Sequence, residues 1–414
     1  MDANASVALL TDRYELTMLD AALESGLAER RAVFEVFTRR LPAGRRFGVL
    51  AGPGRLAALL PSVHFGPAEV EALEGVVGLP TRQWLAGRPL SLALSSYGEG
   101  DTFVAGSPVL TVEGCFGEGL LLETLALSVL NADSAVASAA ARMVLAAGGR
   151  PLLEMGGRRT HEWAAVSAAR AAYLAGFAAT SNLEAGRTYG IPTIGTSAHA
   201  FILAHASERE AFQAQVETLG AGTTLLVDTY DVEAGVRTAV EVAGSQLGAV
   251  RLDSGDARAE AGRARALLDQ LGATGTRIVT TGDLDEWAIA ALAEAPIDSY
   301  GVGTSLVTGS GSPTVGFVYK LVAVADEPGA DAPLRPVAKR SAGKGTVGGR
   351  KWAYRQADGS EALRLSPGGD GVLLQGPLVD DLAAARARCQ DRLAALPADA
   401  RRLDAGPAGW QASL

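Results

Sequence analysis

Between about residues 124 and 325 the chain repeats one pattern, a short apolar run followed by an alanine-rich segment of helical spacing. The run Pro151-Leu152-Leu153-Glu154-Met155 precedes a helical segment over 163–176, and Ile191 to Gly195 forms the next apolar run. Leu225-Leu226-Val227-Asp228 precedes 233–242, Ala249-Val250-Arg251-Leu252 precedes 257–271, and Arg277-Ile278-Val279 precedes 285–293. Ser299-Tyr300-Gly301-Val302 closes the series. Runs this short, separated by helices, predict parallel strands joined by crossover connections, and their number suits a (β/α) barrel better than a bare open sheet. No fixed period relates the units, so the chain is not a solenoid.

The flanks read differently. Residues 1–123 mix a helix over 14–24, a strand over 33–38 and Gly/Pro punctuation such as Ala51-Gly52-Pro53-Gly54, an α+β pattern. After Asp326 comes the loop Glu327-Pro328-Gly329-Ala330-Asp331-Ala332-Pro333, then a Gly/Lys/Arg stretch and a terminal helix over 378–396. The predicted organisation is an N-terminal α+β domain (1–123), a barrel domain (124–325) and a C-terminal segment (326–414) that packs with the first. A length of 414 residues exceeds one ordinary core, in keeping with that division.

With 48% apolar and 20% charged residues the chain can bury a sizeable core. Lys plus Arg number 37 against 46 Asp plus Glu, for a net charge of −9, and no run of basic residues exceeds two. A general nucleic-acid or anionic-membrane surface is therefore not expected. The apolar stretch over 120–148 is broken by Glu123, Asn131, Asp133 and Arg142 and reads as buried helix rather than membrane span. The first ten residues carry Asp2 and no basic segment ahead of an apolar core, so no secretory signal is expected. Cys115 and Cys389 lack metal-ligand spacing, which excludes a cysteine zinc site and fits a reducing cytoplasm.

In parallel α/β folds the ligand-binding groups gather where strands end and helices begin. Polar residues cluster at those points here: Arg158 and Arg159, Ser197 and His199, Asp228, Thr229 and Asp231, Asp253, Ser254 and Asp256, Thr281, Gly282 and Asp283, and Gly303 and Thr304. Thr280-Thr281-Gly282-Asp283 and Gly301-Val302-Gly303-Thr304 put glycines and hydroxyls where a helix is expected to start, a setting for a phosphate; either loop alone is equally a tight turn with a helix cap. Arg251-Leu252-Asp253-Ser254-Gly255-Asp256 carries a cation and two carboxylates able to hold a phosphorylated sugar directly and through Mg²⁺, with Asp256 better read as a helix cap. His199 sits among small residues in Gly195-Thr196-Ser197-Ala198-His199, open to acid, base or nucleophilic work, or else a satisfied structural histidine. Arg158 offers a fork for a carboxylate or phosphate, or is a solvated surface arginine, and Tyr14 could stack on a flat ring or cover a core edge.

Taken in order, Thr11-Asp12-Arg13-Tyr14-Glu15-Leu16-Thr17-Met18, Gly156-Gly157-Arg158-Arg159, Gly195 to His199, Arg251 to Asp256 and Tyr300 to Thr304 resemble the nicotinate phosphoribosyltransferases, type II phosphoribosyltransferases with an irregular (β/α) barrel. Pro336 to Ser341 and Lys344 resemble that family's basic segment. The resemblance implies condensation of nicotinate with 5-phosphoribosyl-1-pyrophosphate to nicotinate mononucleotide and pyrophosphate, a ligase-type reaction of NAD salvage coupled to ATP hydrolysis, with Mg²⁺ as cofactor. It implies that ATP phosphorylates His199 and that Arg251 and Asp253 face the phosphoribosyl group beside Thr196 and Ser197. Gly282, Asp283, Gly303 and Thr304 would cradle its 5-phosphate, and Arg158 would engage nicotinate. Tyr14 would stack on the pyridine ring from the other subunit of a homodimer with shared sites. Metal ligands are not identified. The rival readings are a nicotinamide phosphoribosyltransferase, a quinolinate phosphoribosyltransferase, which lacks the phosphorylated histidine, and a non-catalytic ligand-binding relative.

Overall fold

The computed structural model describes residues 6–341, 345–404 and 412, so Lys344 and residues 1–5, where the leader expectation partly falls, lie outside the described residues. Two compact units emerge, one of residues 136–313 and one combining 1–135 with 314–414.

The unit of residues 136–313 is built on six strands: β1 (Leu152–Glu154), β2 (Ala179–Thr180), β3 (Thr224–Leu226), β4 (Ala249–Leu252), β5 (Arg277–Thr280) and β6 (Ser299–Val302). They pair in the order β2-β1-β6-β5-β4-β3, and every pairing is parallel. The helices between them are α1 (Glu162–Ala175), α2 (Leu183–Tyr189), α3 (His199–Leu203), α4 (Glu208–Leu219), α5 (Val232–Ala243), α6 (Ala257–Gln270), α7 (Glu286–Ala291) and α8 (Thr304–Val307). This is the α/β alternation that the apolar runs predict, realised as a half-barrel whose sheet ends at β2 and β3 rather than closing.

One expected strand is corrected. Ile191 to Gly195 forms no strand: Pro192 has no N–H to donate, and the segment joins the sheet only through a parallel bridge between Thr180 and Thr193. The ends of the helices follow local chemistry. Asn182, Asp231, Asp256 and Asp285 each accept a backbone N–H as N-cap, and α1 stops at Gly176, whose φ of 123° suits glycine.

The other unit holds a six-stranded antiparallel sheet in which Arg30–Thr38 lies between Phe317–Pro328 and Leu110–Cys115. Its register runs from Phe317 opposite Thr38 to Pro328 opposite Arg30, so N- and C-terminal segments share one sheet. That pairing also explains why the division falls before Thr314 rather than after 325: Phe317–Pro328 fills a sheet position of this unit. At the other end the helix Glu123–Ala147 runs unbroken past residue 123, and the division falls within it. Residues 116–147 are apolar and long enough to cross a bilayer by composition, yet 67% of their most apolar window is buried in protein, as in a core helix. Phe34 stacks on Tyr319 with ring centroids 4.9 Å apart in the sheet's core.

A buried ion pair fastens this sheet to the C-terminal segment. Lys351 donates its backbone N–H to Glu35 Oε1 and its Nζ to Oε2, both at 2.7 Å, and the Glu35 side chain is 1% exposed. Burial pushes the Glu35 carboxyl above the usual carboxylate range against the pull of Lys351. Removing one partner strands the other charge in a dry interior. Lys351→Met is expected to lower the stability of the full chain by about 3 kcal/mol in chemical denaturation, and the double variant with Glu35→Gln to recover most of that loss.

Candidate active site

Because the six strands of the half-barrel are parallel, their C-terminal ends open onto one rim. Along it stand the Gly156 to Arg159 turn after β1, Ser181 and Asn182 after β2, Asp228 and Thr229 after β3, Asp253 and Ser254 after β4, Thr281 to Asp283 after β5, and Gly303 and Thr304 after β6. Inside the curl lies a cavity of about 660 Å³, lined among others by Met155, Thr196, Arg251 and Val279.

Arg251 organises the centre of this rim. Its guanidinium donates to Asp253 Oδ1 at 2.7 Å, to Thr281 Oγ1 at 3.0 Å and to Thr196 Oγ1 at 3.1 Å. The Thr281 hydroxyl in turn donates to Asp253 Oδ1. Arg251 is on the fourth strand, Thr281 follows the fifth, and Thr196 lies 55 residues before Arg251, so three distant motifs share one charge-assisted network. Burial alone would raise the Asp253 carboxyl, but the hydrogen bonds from Thr281 and Arg251 outweigh it and hold the group below its ordinary value.

His199 opens α3 and faces the same network. Its Nδ1 lies 3.1 Å from Thr229 Oγ1, and its Nε2 lies 3.8 Å from Asp253 Oδ2 and 4.0 Å from Asp228 Oδ1. With 40% of its side chain exposed, the imidazole is open to an incoming ligand, not sealed. Sequence reasoning gave Asp228 no role beyond its place at a strand end, and the structure makes it central. Its carboxylate is 1% exposed; Oδ2 accepts the Asp253 N–H at 2.8 Å and the Ser254 hydroxyl at 2.7 Å, while Oδ1 is buried with no hydrogen-bond partner. The run Leu225-Leu226-Val227 places Asp228 at a strand end, but a carboxylate there reads equally as a solvated turn or a helix cap, so the sequence alone does not mark it. Glu208, first residue of α4, is pushed up to about 7 by burial and by the charges of Asp231 and Asp228.

The remaining residues divide. Ser197 Oγ is buried without a partner. Asp256 caps α6, accepting from Arg258 N and Ala259 N at 3.1 Å. Thr281 to Asp283 do not start a helix, since α7 begins only at Glu286 behind its cap Asp285; they form a loop in which Gly282 takes φ +127° and passes close to the Asp253 carbonyl. Gly303 and Thr304 do precede a helix, a single turn, two strands from Arg251 along the rim, roughly 10 Å by ordinary strand spacing. Arg158 is exposed and its guanidinium has no partner among the described residues. Tyr14 belongs to the other unit, near the start of the helix Arg13–Glu24, 45% exposed, and its phenol is raised by burial and by Glu123 and Glu15.

Two family models match the chain: the nicotinate phosphoribosyltransferase N-terminal domain over residues 9–131 and the nicotinate phosphoribosyltransferase family over 151–351. A nicotinate phosphoribosyltransferase of Mycobacterium tuberculosis is 53% identical, covering 96% of this chain and 93% of its own length. That of Bacillus subtilis is 37% identical, covering 84% and 73%. Among solved structures, human nicotinic acid phosphoribosyltransferase superposes with a TM-score of 0.79 at 27% identity, covering 97% of each chain. A nicotinate-nucleotide pyrophosphorylase of Pyrococcus furiosus gives 0.77 at 25%, covering 94% and 95%.

The hydroxyl of Thr281 is what offsets the burial of Asp253 without adding charge. In Thr281→Val the Asp253 carboxyl carbon is expected to titrate at higher pH than in the parent by NMR. Because the ionised form is the one that holds Arg251, the acid limb of any activity should move the same way, upward in pH.

Proposed function

This chain belongs to the nicotinate phosphoribosyltransferase family, and on that premise we propose a mechanism in which the rim around Arg251 carries the reaction. The protein joins nicotinate to 5-phosphoribosyl-1-pyrophosphate, giving nicotinate mononucleotide and pyrophosphate, an entry to NAD by salvage. The observation that supports the site assignment is the network in which Thr196, Arg251, Asp253 and Thr281 meet beside an open His199.

In the reaction the pyridine nitrogen forms a bond to C1 of the ribose as the bond from C1 to the pyrophosphate oxygen breaks. Positive charge grows on the sugar and negative charge on the leaving group, so fixed charges matter more than acid–base help. Asp253 and Arg251 face the phosphoribosyl group, with Thr196 and Ser197 beside it; the cation meets phosphate oxygens while the carboxylate stays ionised across the working range. Gly282, Asp283, Gly303 and Thr304 cradle the 5-phosphate. The exposed guanidinium of Arg158 meets the nicotinate carboxylate as a two-pronged donor, and orientation of the ring supplies much of the rate. Tyr14 of a second copy stacks on that ring, which makes the working unit a homodimer with shared sites.

ATP is the co-substrate. With Nδ1 held by Thr229, His199 Nε2 is the nitrogen left to attack the γ-phosphorus; the Nε2–P bond forms as the bond to the bridging oxygen breaks and ADP departs. Later hydrolysis of the phosphohistidine to free phosphate pulls the transfer toward product. Two carboxylates within 4.0 Å of Nε2 would repel a phosphoryl group unless a cation accompanied it. Mg²⁺ fits that need: it takes few protein oxygens when phosphates complete its shell, and the partnerless Oδ1 of Asp228 with Asp253 would hold it. When bound, it neutralises charge on the leaving pyrophosphate. A reducing cytoplasm suits the two free thiols of Cys115 and Cys389.

Purified protein with nicotinate, phosphoribosyl pyrophosphate and Mg²⁺ is expected to release the mononucleotide, faster with ATP, and nicotinamide is expected not to replace nicotinate; preference for the amide overturns the substrate assignment. His199→Ala should fold normally yet lose both the phosphoprotein formed from labelled ATP and the stimulation by ATP. Equal labelling of variant and parent removes the histidine from the mechanism.

A further inference from the structure

Glu154, the last residue of β1, is 1% exposed, and no cationic side chain pairs with it among the described residues. A buried carboxyl without a counter-charge is costly, and burial does push this one above its ordinary value, opposed by hydrogen bonds from Thr180 and Gly156. It makes two hydrogen bonds, one to each side. Oε1 accepts the backbone N–H of Gly156 and Oε2 the hydroxyl of Thr180, each at 2.5 Å.

Both partners lead directly into rim turns. Gly156 opens the turn that carries Arg158 and Arg159, closed by the Arg159 N–H on the Gly156 carbonyl at 2.8 Å. Only glycine fits at its start: a Cβ at Gly156 would stand 2.2 Å from Val307 Cγ1 and 3.0 Å from the Gly303 carbonyl. On the other side, Thr180 Oγ1 accepts the N–H of Asn182 at 2.9 Å, and the Glu154 carbonyl accepts the N–H of Ser181 at 2.9 Å. The Thr180 carbonyl accepts the N–H of Ile194 at 2.9 Å, at the head of the segment that runs on to His199. The two turns face each other, for a Cβ on Gly157 would lie 3.9 Å from Asn182 Nδ2.

We propose that Glu154 is a positioning residue for nicotinate: its carboxyl clamps the Gly156 turn to the Thr180 turn and so fixes where Arg158 stands on the rim. This rests on the reading above that Arg158 meets the nicotinate carboxylate. The phosphoribosyl side is governed by the Arg251 network, to which the Glu154 carboxyl makes no hydrogen bond, its two oxygens being committed to Gly156 and Thr180. Loss of the clamp therefore loosens the hold on one substrate and leaves the other.

The test is steady-state kinetics with each substrate varied, on the full-length protein, with thermal melting as a folding check. Glu154→Ala should raise the KM for nicotinate about tenfold, as expected for a recognition group displaced by a fraction of an ångström. The KM for phosphoribosyl pyrophosphate should change less than threefold. Glu154→Gln should rescue, because its oxygen accepts from Gly156 while its amide donates to the Thr180 hydroxyl oxygen. In an Arg158→Ala background, Glu154→Ala should add less than twofold. If Glu154→Ala does not fold, Thr180→Val, which deletes the same clamp at its other end, carries the test with the same expected split. An unchanged nicotinate KM in a folded variant, an equal rise in both KM values, or a glutamine variant as impaired as alanine overturns the proposal. A parent protein that transfers phosphoribose well but binds nicotinate equally with and without Arg158 instead overturns the reading beneath it.

Discussion

The guanidinium of Arg251 is the point on which the rim of the half-barrel depends. It holds a carboxylate, two hydroxyls and through them three stretches of chain that are far apart in sequence. A planar cation with several donors can do this where a lysine could not, since the fork fixes direction as well as charge. The arrangement also explains why Asp253 is acidic although half-buried: the donors aimed at it stabilise the charged form more than burial opposes it. His199 inherits its setting from that balance, lying against two carboxylates of which one is committed to Arg251 and the other has an oxygen to spare.

Much of this was legible before any coordinates. The apolar runs gave β1 and the four strands from β3 to β6, because a strand buried on both faces by crossover helices has to be apolar along its length. The alternation failed at Ile191 to Gly195, where composition resembles a strand but Pro192 removes a donor. It also passed over β2, only two residues long, and α4, which opens on the polar Glu208-Arg209-Glu210. Among the residues that meet on the rim, Arg251, Asp253 and His199 were marked in the sequence by position and company. Asp228 and Glu154 did not, because a carboxylate at a strand end reads equally as a solvated turn or a cap, as Asp256 turned out to be. Which of these carboxylates is buried depends on neighbouring strands, and those are known only after the chain is folded.

The two carboxylates that the sequence left silent share a design. Each is almost wholly buried, each makes its bonds to neutral donors, and neither has an arginine or lysine against it among the described residues. Such groups add little stability of their own; what they supply is direction, each bonded oxygen aimed at a named neutral donor. Asp228 ties the third strand end to the fourth, and Glu154 ties the first to the second. The rim is thus braced at intervals by buried anions, with the one cationic knot between them.

In the other unit, Glu35 waits for a lysine that lies 316 residues later in the chain, and the strand around it is flanked by one that begins only at Phe317. At ordinary ribosomal speeds of about 5–20 residues per second, roughly 15 to 60 seconds pass between the emergence of the first partner and the last. At the end of that interval the nascent sheet still carries an open hydrogen-bonding edge and an unneutralised carboxyl, while the half-barrel encoded between them has just been fully synthesised. The half-barrel can therefore form before its partner unit, because the unit that begins translation first is also the one that receives its last strands and its lysine.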